Sequence, residues 1–341
     1  MYLCCDLGGS TSDWAVFDPK TLDCVYRSQL SNQEFYDFYG MLDEFLANYS
    51  LLADHPTISC STFGVAGRVD GNRVSLTNIE GWDVSLDTVN STLSDHGHIP
   101  KSILINDFEA IGYGILYLNE HGFDKNDIVE VHGRFRPGAS RTGESPRTRS
   151  VICGPGTGLG VSCLIDGLMR DGLPFILSSE GGHHSFSPET ADQYRVFGGS
   201  EKFTGKLSYE SVLSKRGLVN LYNMYRKIYG SAEADYNVEA EKIIELSSRN
   251  GDQAAIDAVD LFVSILANFC GNIALTFNCD KAVYLWGGTL PKIPPALLSA
   301  RFKVIYPDRC GHRERIARVP VVLVRNSEVP LLGCAYRSTF G

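Results

Sequence analysis

Apolar and polar positions along this chain follow two periods in turn, one of strands and one of helices. Near the start, YLCC is a short apolar run that opens into Asp6, Leu7, Gly8, Gly9, Ser10 and Thr11, and WAVFD then returns to apolar sequence. That is the pattern of a β-hairpin with small residues at its tip. CVYRSQL supplies a third strand, and from about residue 33 the apolar residues Phe35, Phe38, Leu42, Phe45 and Leu46 share one helical face. Ser31 and Glu34 have capping-box spacing at the start of that helix. TISCSTFGVAG reads as a buried strand and Asp70-Gly71 as a hairpin turn into RVSL. SILI is a strand that runs directly into Asn106 and Asp107, and FEAIGYGILYL after it is a helix. Strands first, then strand and helix in alternation, suit an α/β domain with a mixed sheet.

The second half repeats this order. Residues 151–164, VICGPGTGLGVSCL, again pass from an apolar run through a glycine-rich turn to apolar sequence. Helices are expected around 209–229 and 253–277, then the strand AVYLWGG ending in Gly287-Gly288, the strand VPVVLVR, and a short closing segment from Pro330. Two hairpins with small residues and backbone N–H groups at their tips suggest an internal duplication in which both tips face one bound polyphosphate. A nucleotide phosphate is the natural candidate. Residues 132–150, HGRFRPGASRTGESPRTRS, mix Pro, Gly and Ser with five arginines and show no periodicity. They are expected to form a mobile surface insertion.

Which glycine loop this is can be narrowed by elimination. Neither tip carries the Lys-Ser/Thr pair that a P-loop needs to reach the outer phosphates. Gly154, Gly156, Gly158 and Gly160 alternate strictly and miss the spacing of the dinucleotide fingerprint. Alternating glycines suit a hairpin turn that a phosphate can approach closely, although one such turn alone is equally what a tight structural turn looks like. The pair, together with Asp6 at a strand end where a carboxylate can hold a hydrated Mg²⁺, favours phosphate binding. Gly287 and Gly288 would let an adenine or ribose lie against backbone, or simply turn the chain.

Asp107 stands just past an apolar strand, where open α/β sheets place their ligands, with Asn106 beside it. The competing reading is a helix N-cap. In Glu180-Gly181-Gly182-His183, two glycines leave acid and imidazole unobstructed, so both can converge on a small polar ligand such as a vicinal diol. His184 follows, but no Cys or acidic partner lies at zinc spacing.

Composition adds limits. At 341 residues the chain is long enough for two domains, and its net charge of −9 argues against nucleic acid or an anionic membrane as principal partner. Ten cysteines form no CxxC pair and read as thiols in a reducing cytosol. No basic-then-apolar segment opens the chain, and the most apolar helix, around Leu261 to Phe277, is interrupted by Asn268 and Asn272 and reads as too short to cross a bilayer. The expectation is a cytoplasmic protein that works on small molecules.

Together, DLGGST, GVAG, LTN at 76–78, INDFEA at 105–110, GPGTGLG, EGGHHSF, YESVLSKRGLVNLY at 209–222, LWGG and LLGCAY resemble the bacterial-type glucokinases of the actin-like sugar kinase superfamily, in the same order and over nearly the whole chain. The resemblance implies a duplicated, two-lobed actin-like fold with a ribonuclease-H-like core in each lobe and the active site in the cleft. On that pattern residues 1–117 plus 327–341 form the small lobe and 118–326 the large one. Asp6, Gly8, Gly9 and Ser10 would be the first phosphate loop, with Asp6 reaching Mg²⁺ through water. Gly156, Thr157 and Gly158 would be the second, and Gly287 and Gly288 would face the adenosine. Asn106, Asp107, Glu180, His183 and Glu210 would hold the sugar, with Asp107 as catalytic base. Glu210 is noticed only through the resemblance; otherwise it reads as an ordinary residue in a first helical turn. The implied activity is ATP-dependent phosphorylation of D-glucose to glucose 6-phosphate, the first step of glycolysis, with glucose and ATP as partners and a homodimer compatible with the family. Alternatives are a kinase for mannose, glucosamine or fructose, or a non-catalytic actin-like nucleotide-binding protein. The chain departs from the pattern at Ser10, Thr11, Ser12 and Asp13, where an acid stands in place of the usual Arg, in the insertion at 132–150, and in lacking the cysteine pairs and DNA-binding helices of the zinc-containing relatives.

Overall fold

The computed structural model describes residues 1–76, 79–138, 148–198, 206–231, 236–248 and 251–340. They form two compact units, one of Met1–Gly122, Leu168–Ser178 and Glu328–Gly341, the other of Phe123–Gly167 and Ser179–Ser327.

The first unit begins with β1 (Tyr2–Leu7), β2 (Thr11–Phe17) and β3 (Cys24–Ser31), followed by α1 (Phe38–Ser50) and β4 (Cys60–Val65). A small ribbon, β5 (Arg73–Ser75) with β6 (Asp83–Ser85), leads to α2 (Leu86–Asp95), β7 (Ser102–Asn106) and α3 (Asp107–His121). The sheet order is β3-β2-β1-β4-β7. β1 is antiparallel to β2 and parallel to β4, which is parallel to β7. Period-two alternation divides the sheet's two faces. Leu3, Cys5, Leu7 and Trp14 pack with Phe38, Met41, Leu42 and Phe45 of α1 and with Val89 and Leu93 of α2. Cys4 and Ala15 belong to a separate cluster with Ala110 and Tyr113 of α3. Adjacent Cys4 and Cys5 thus face opposite ways, as their strand position requires.

The predicted helix from residue 33 is corrected. Residues 32–34 form a single 3₁₀ turn in which the Ser31 side chain caps nothing, and α1 starts only after Asp37, whose carboxylate accepts from Gly40 N–H. Phe35 lies outside it, and an Asp cap with helical residues behind it has displaced the capping box. The hairpin turn expected at Asp70-Gly71 is present, Asp70 N–H donating to Arg73 O at 2.9 Å and Arg73 N–H to Asp70 O at 3.2 Å, but its pairing stops at that bridge, and the strand RVSL, present as β5, pairs onward with β6.

A second sheet and its helices follow: β8 (Ile128–His132), β9 (Arg149–Pro155), β10 (Leu159–Arg170) and β11 (Leu173–Ser179), the end of β10 and nearly all of β11 falling in the Leu168–Ser178 stretch of the first unit, then α4 (Ala191–Gly198), α5 (Lys215–Ile228), α6 (Ala240–Ser248), α7 (Gln253–Thr276), β12 (Ala282–Leu285), α8 (Pro295–Ile305), α9 (Arg313–Ala317) and β13 (Val321–Val324). The strand order of this sheet is β11-β10-β9-β12-β13-β8, again an antiparallel hairpin followed by parallel strands, with β8 added antiparallel at the edge. The duplication expected from the two hairpins is present in the strand order. The chain returns to the first unit as α10 (Val329–Ser338), a helix where the sequence suggests only a closing segment; Pro330 occupies its first turn, where a missing N–H costs nothing.

α7 fills the helix expected around 253–277, but the reading of its apolar part as too short to cross a bilayer is corrected. It is the one helix among the described residues long and apolar enough to cross a membrane, and most of it is buried inside the second unit's core, where Phe262, Leu266 and Phe269 pack with Val151, Cys153 and Val283. Of the predicted insertion, His132 belongs to β8 and Arg149 and Ser150 to β9, while residues 139–147 lie outside the described residues. Thr77 and Asn78 of the LTN stretch lie outside them too.

Candidate active site

The first turn is made by register. Asp6 pairs with Asp13 and Leu7 with Ser12, so Gly8, Gly9 and Ser10 form the connection. Parallel pairing sets Leu7 beside Val65 and Val65 beside Asn106, which brings the C-terminal ends of β1, β4 and β7 to one edge. That edge is where open α/β sheets bind ligands. Burial, then the charges of Asp107 and Asp13, push the Asp6 carboxyl up to about 7. Asp13, the departure from the family pattern, is not an isolated charge: Arg27 Nη2 lies 3.2 Å from its Oδ1, and Gln29 donates to both its oxygens at 3.3 Å.

Asn106 is the N-cap of α3. Its extended backbone (φ −65°, ψ 149°) lets the side chain accept from Phe108 N–H at 3.0 Å, and its Nδ2 donates to Gly67 O at 3.3 Å. Asp107 is therefore the first helical residue rather than the cap, and its Oδ1 also accepts from Phe108 N–H at 3.0 Å. The capping role weighed for Asp107 is filled by its neighbour.

In the second unit, Pro155 pairs with Leu159, leaving Gly156, Thr157 and Gly158 as the turn. Gly156 N–H donates to Gly158 O at 2.8 Å, and Lys215 N–H to Gly156 O at 2.9 Å. Glu210 joins this turn directly, because its Oε2 accepts from Leu159 N–H at 2.9 Å. A Cβ on Gly158 would stand 2.6 Å from that oxygen, so a side chain there would displace the Glu210 carboxylate from the turn. Glu210 lies in turns ahead of α5, not in a helix, and its own N–H donates to Gly182 O at 2.9 Å. The 3₁₀ turn Gly181–His183 then aims His183 at both acids: Nδ1 is 3.8 Å from Glu210 Oε1, and Nε2 is 3.7 Å from Glu180 Oε2. All three side chains remain partly open to solvent.

Gly287 follows β12 with φ +142°, a conformation that glycine alone takes readily, and a Cβ there would stand 2.6 Å from Pro155 O. Trp286 N–H donates to Cys153 O at 3.0 Å, fixing this corner against β9. The two glycines lead into a 3₁₀ turn, Leu290–Lys292, and only then into α8.

Among the described residues, no group of three or more His, Cys, Asp or Glu side chains is placed to hold a metal by protein ligands alone. Mg²⁺ asks for less: one or two carboxylates with water and phosphate oxygens. Asp6, raised by burial and by two neighbouring acids, is a carboxyl that a divalent cation would return to its charged form, so the donor set fits Mg²⁺ carried with a nucleotide.

Asn32, which sequence alone did not single out, and Ser12, noted there only as a departure from the family pattern, are bonded to each other and to the first turn, Ser12 Oγ donating to Asn32 Oδ1 at 2.6 Å and Asn32 Nδ2 to Gly8 O at 2.8 Å. The available signal was pairing: a third strand returning antiparallel along the second must end beside the turn, and Thr11 does pair with Ser31.

The sequence model of the glucokinase family, described as Glucokinase, matches residues 3–339. The chain belongs to the glucokinase family. A glucokinase of Chelativorans sp. (strain BNC1) is 30% identical over 337 residues, covering 97% of this chain and 89% of the relative. Among solved structures, a glucokinase of Balamuthia mandrillaris in complex with glucose superposes with a TM-score of 0.77 at 20% identity, over 99% of this chain and 93% of that one. A ROK family glucokinase of Streptomyces griseus, in complex with glucose and AMPPNP, superposes with a TM-score of 0.65 at 18% identity, over 100% and 99%. These two likenesses show the fold, which is that of the actin-like sugar kinases.

Proposed function

We propose that this chain is an ATP-dependent glucokinase that converts D-glucose and ATP to glucose 6-phosphate and ADP. The observation that carries the reading is the convergence of Glu180, His183 and Glu210 beside the second glycine turn, in a chain matched by the glucokinase family along nearly its whole length. Two carboxylates and an imidazole offer the acceptors and donor that adjacent sugar hydroxyls require. Asn106 and Asp107 complete the set of sugar ligands.

Asp107 acts as the general base. Its carboxylate takes the proton of the sugar's primary hydroxyl as that oxygen forms a bond to the γ-phosphorus and the bond to the ADP oxygen breaks. Backbone N–H groups of the turns at Gly8–Ser10 and Gly156–Gly158 receive phosphate oxygens, and Gly287 and Gly288 lie against the adenosine. Asp6 would hold Mg²⁺ through water, and the ion would neutralise charge on the phosphates. ATP and free hexose meet in the cytoplasm, where this reading places the enzyme.

A coupled assay crossing ATP, ADP and polyphosphate with glucose, mannose, glucosamine and fructose tests the proposal. Glucose with ATP is expected to give the highest kcat/KM. A higher value for another hexose would reassign the substrate, and no turnover of any sugar would reject the enzyme.

A further inference from the structure

Asn32 follows the last residue of β3 and is 5% exposed. Its hydrogen bonds converge on the first glycine turn. Nδ2 donates to Gly8 O at 2.8 Å, Oδ1 accepts from Ser12 Oγ at 2.6 Å, and its backbone N–H donates to Ser10 O at 3.0 Å. Ser12, fully buried on β2, has its hydroxyl hydrogen committed to this bond, so the amide is held in one orientation with its NH₂ toward Gly8. A planar trans peptide carries its C=O and N–H on opposite edges. With Gly8 O drawn to Asn32, the N–H of Gly9 is turned the other way. The strand pair alone would not achieve this, because Gly8 to Ser10 lie outside the paired register of β1 and β2.

We propose that Asn32, set by Ser12, is a positioning residue for phosphoryl transfer: it fixes the Gly8–Gly9 peptide so that the Gly9 N–H is presented to the nucleotide's phosphates. The inference rests on the reading of this turn as a phosphate site. Asn32 does not touch the nucleotide; it determines whether the donor is already aimed when ATP arrives, and a donor fixed in advance needs no reorganisation on binding. A buried Asn that merely fills space would make no distinction between the two substrates.

The test measures KM for ATP, KM for glucose and kcat on four variants of the full chain, with melting curves and direct titration of AMPPNP. Asn32→Asp keeps the size and the acceptor for Ser12 but loses the donor to Gly8 O. It is expected to raise KM for ATP and the dissociation constant of AMPPNP at least tenfold, with KM for glucose at saturating ATP within about twofold, tenfold being about 1.4 kcal/mol. Asn32→Ala should show the same split. Ser12→Ala, which leaves the amide in place but able to rotate, should show it more weakly and serves if either Asn32 variant fails to fold. Gly8→Ala is the reference: a Cβ there would meet Thr11 O at 2.6 Å and must shift the turn. If Gly8→Ala weakens ATP and the Asn32 and Ser12 variants do not, or if they weaken both substrates equally, the role of Asn32 is overturned while the phosphate reading stands. If Gly8→Ala leaves ATP binding unchanged, the phosphate reading itself fails.

Discussion

Glu210 divides its two oxygens between neighbours: Oε2 accepts from Leu159 N–H at 2.9 Å, and Oε1 faces His183 Nδ1 at 3.8 Å. One carboxylate therefore touches the second turn and the proposed sugar ligands at once, and two substitutions separate these contacts. Glu210→Gln keeps an acceptor for Leu159 but loses the charge, so KM for glucose should rise, with KM for ATP little changed. Glu210→Ala also leaves the Leu159 N–H without its acceptor, a loss of about 1.5–3 kcal/mol for a hydrogen bond to a charged group. KM for ATP should then rise as well. Steady-state kinetics on both variants checks this, and identical profiles would show that the Leu159 bond does not govern the turn. The sequence signalled Glu180 and His183 through the paired glycines between them. It gave no signal for Glu210, because what makes that residue special is a backbone N–H more than fifty positions earlier in the chain.

At the scale of elements, α3 and α10 cross where glycine allows backbones to touch. A Cβ on Gly333 would overlap the carbonyl oxygen of Ala110, so Gly333→Ala must push the helices apart. Overpacking of this kind costs about 1–3 kcal/mol and more where the obstacle is backbone. The variant should melt below the parent by circular dichroism, and an unchanged melting temperature would mean that the crossing is loosely packed. Much of this level was legible beforehand. β1, β2, β4, β7, β9, β10, β12 and β13 follow from apolar runs bounded by turn residues, and α3 from the strand end at Asn106. The misses share a cause: each was decided by a competing local group or a distant partner. Asp37 took the cap that Ser31 and Glu34 were expected to form, the Asp70-Gly71 turn formed but β5 beyond it took β6 as its partner, and Pro330 sits in the first turn of a full helix that docks on α3 where only a closing segment was expected. Asn32 was invisible for the same reason, since its meaning lies in the turn it reaches.

At the scale of the whole molecule, one strand order occurs twice, and each occurrence ends its hairpin in a glycine turn. That repetition was legible from spacing alone, whereas the pairing of each turn with its support, Asn32 for one and Glu210 for the other, was not. A ligand of the native state stabilises the entire fold, so glucose at a hundredfold its dissociation constant should add about 2.7 kcal/mol to unfolding. A melt in which glucose has no more effect than a sugar the enzyme does not phosphorylate would count against a glucose site. The central claim, that Asp107 removes the sugar's proton, is tested most directly by the turnover of Asp107→Asn. Asn106 already supplies the cap of α3, and the substitution preserves side-chain size, so the variant should fold and melt like the parent. A positioned general base contributes about 10²–10⁴-fold, and kcat should fall by that factor with KM for glucose changed only modestly. A purified Asp107→Asn enzyme that melts like the parent and phosphorylates glucose within about threefold of its rate, far inside that range, would contradict the mechanism.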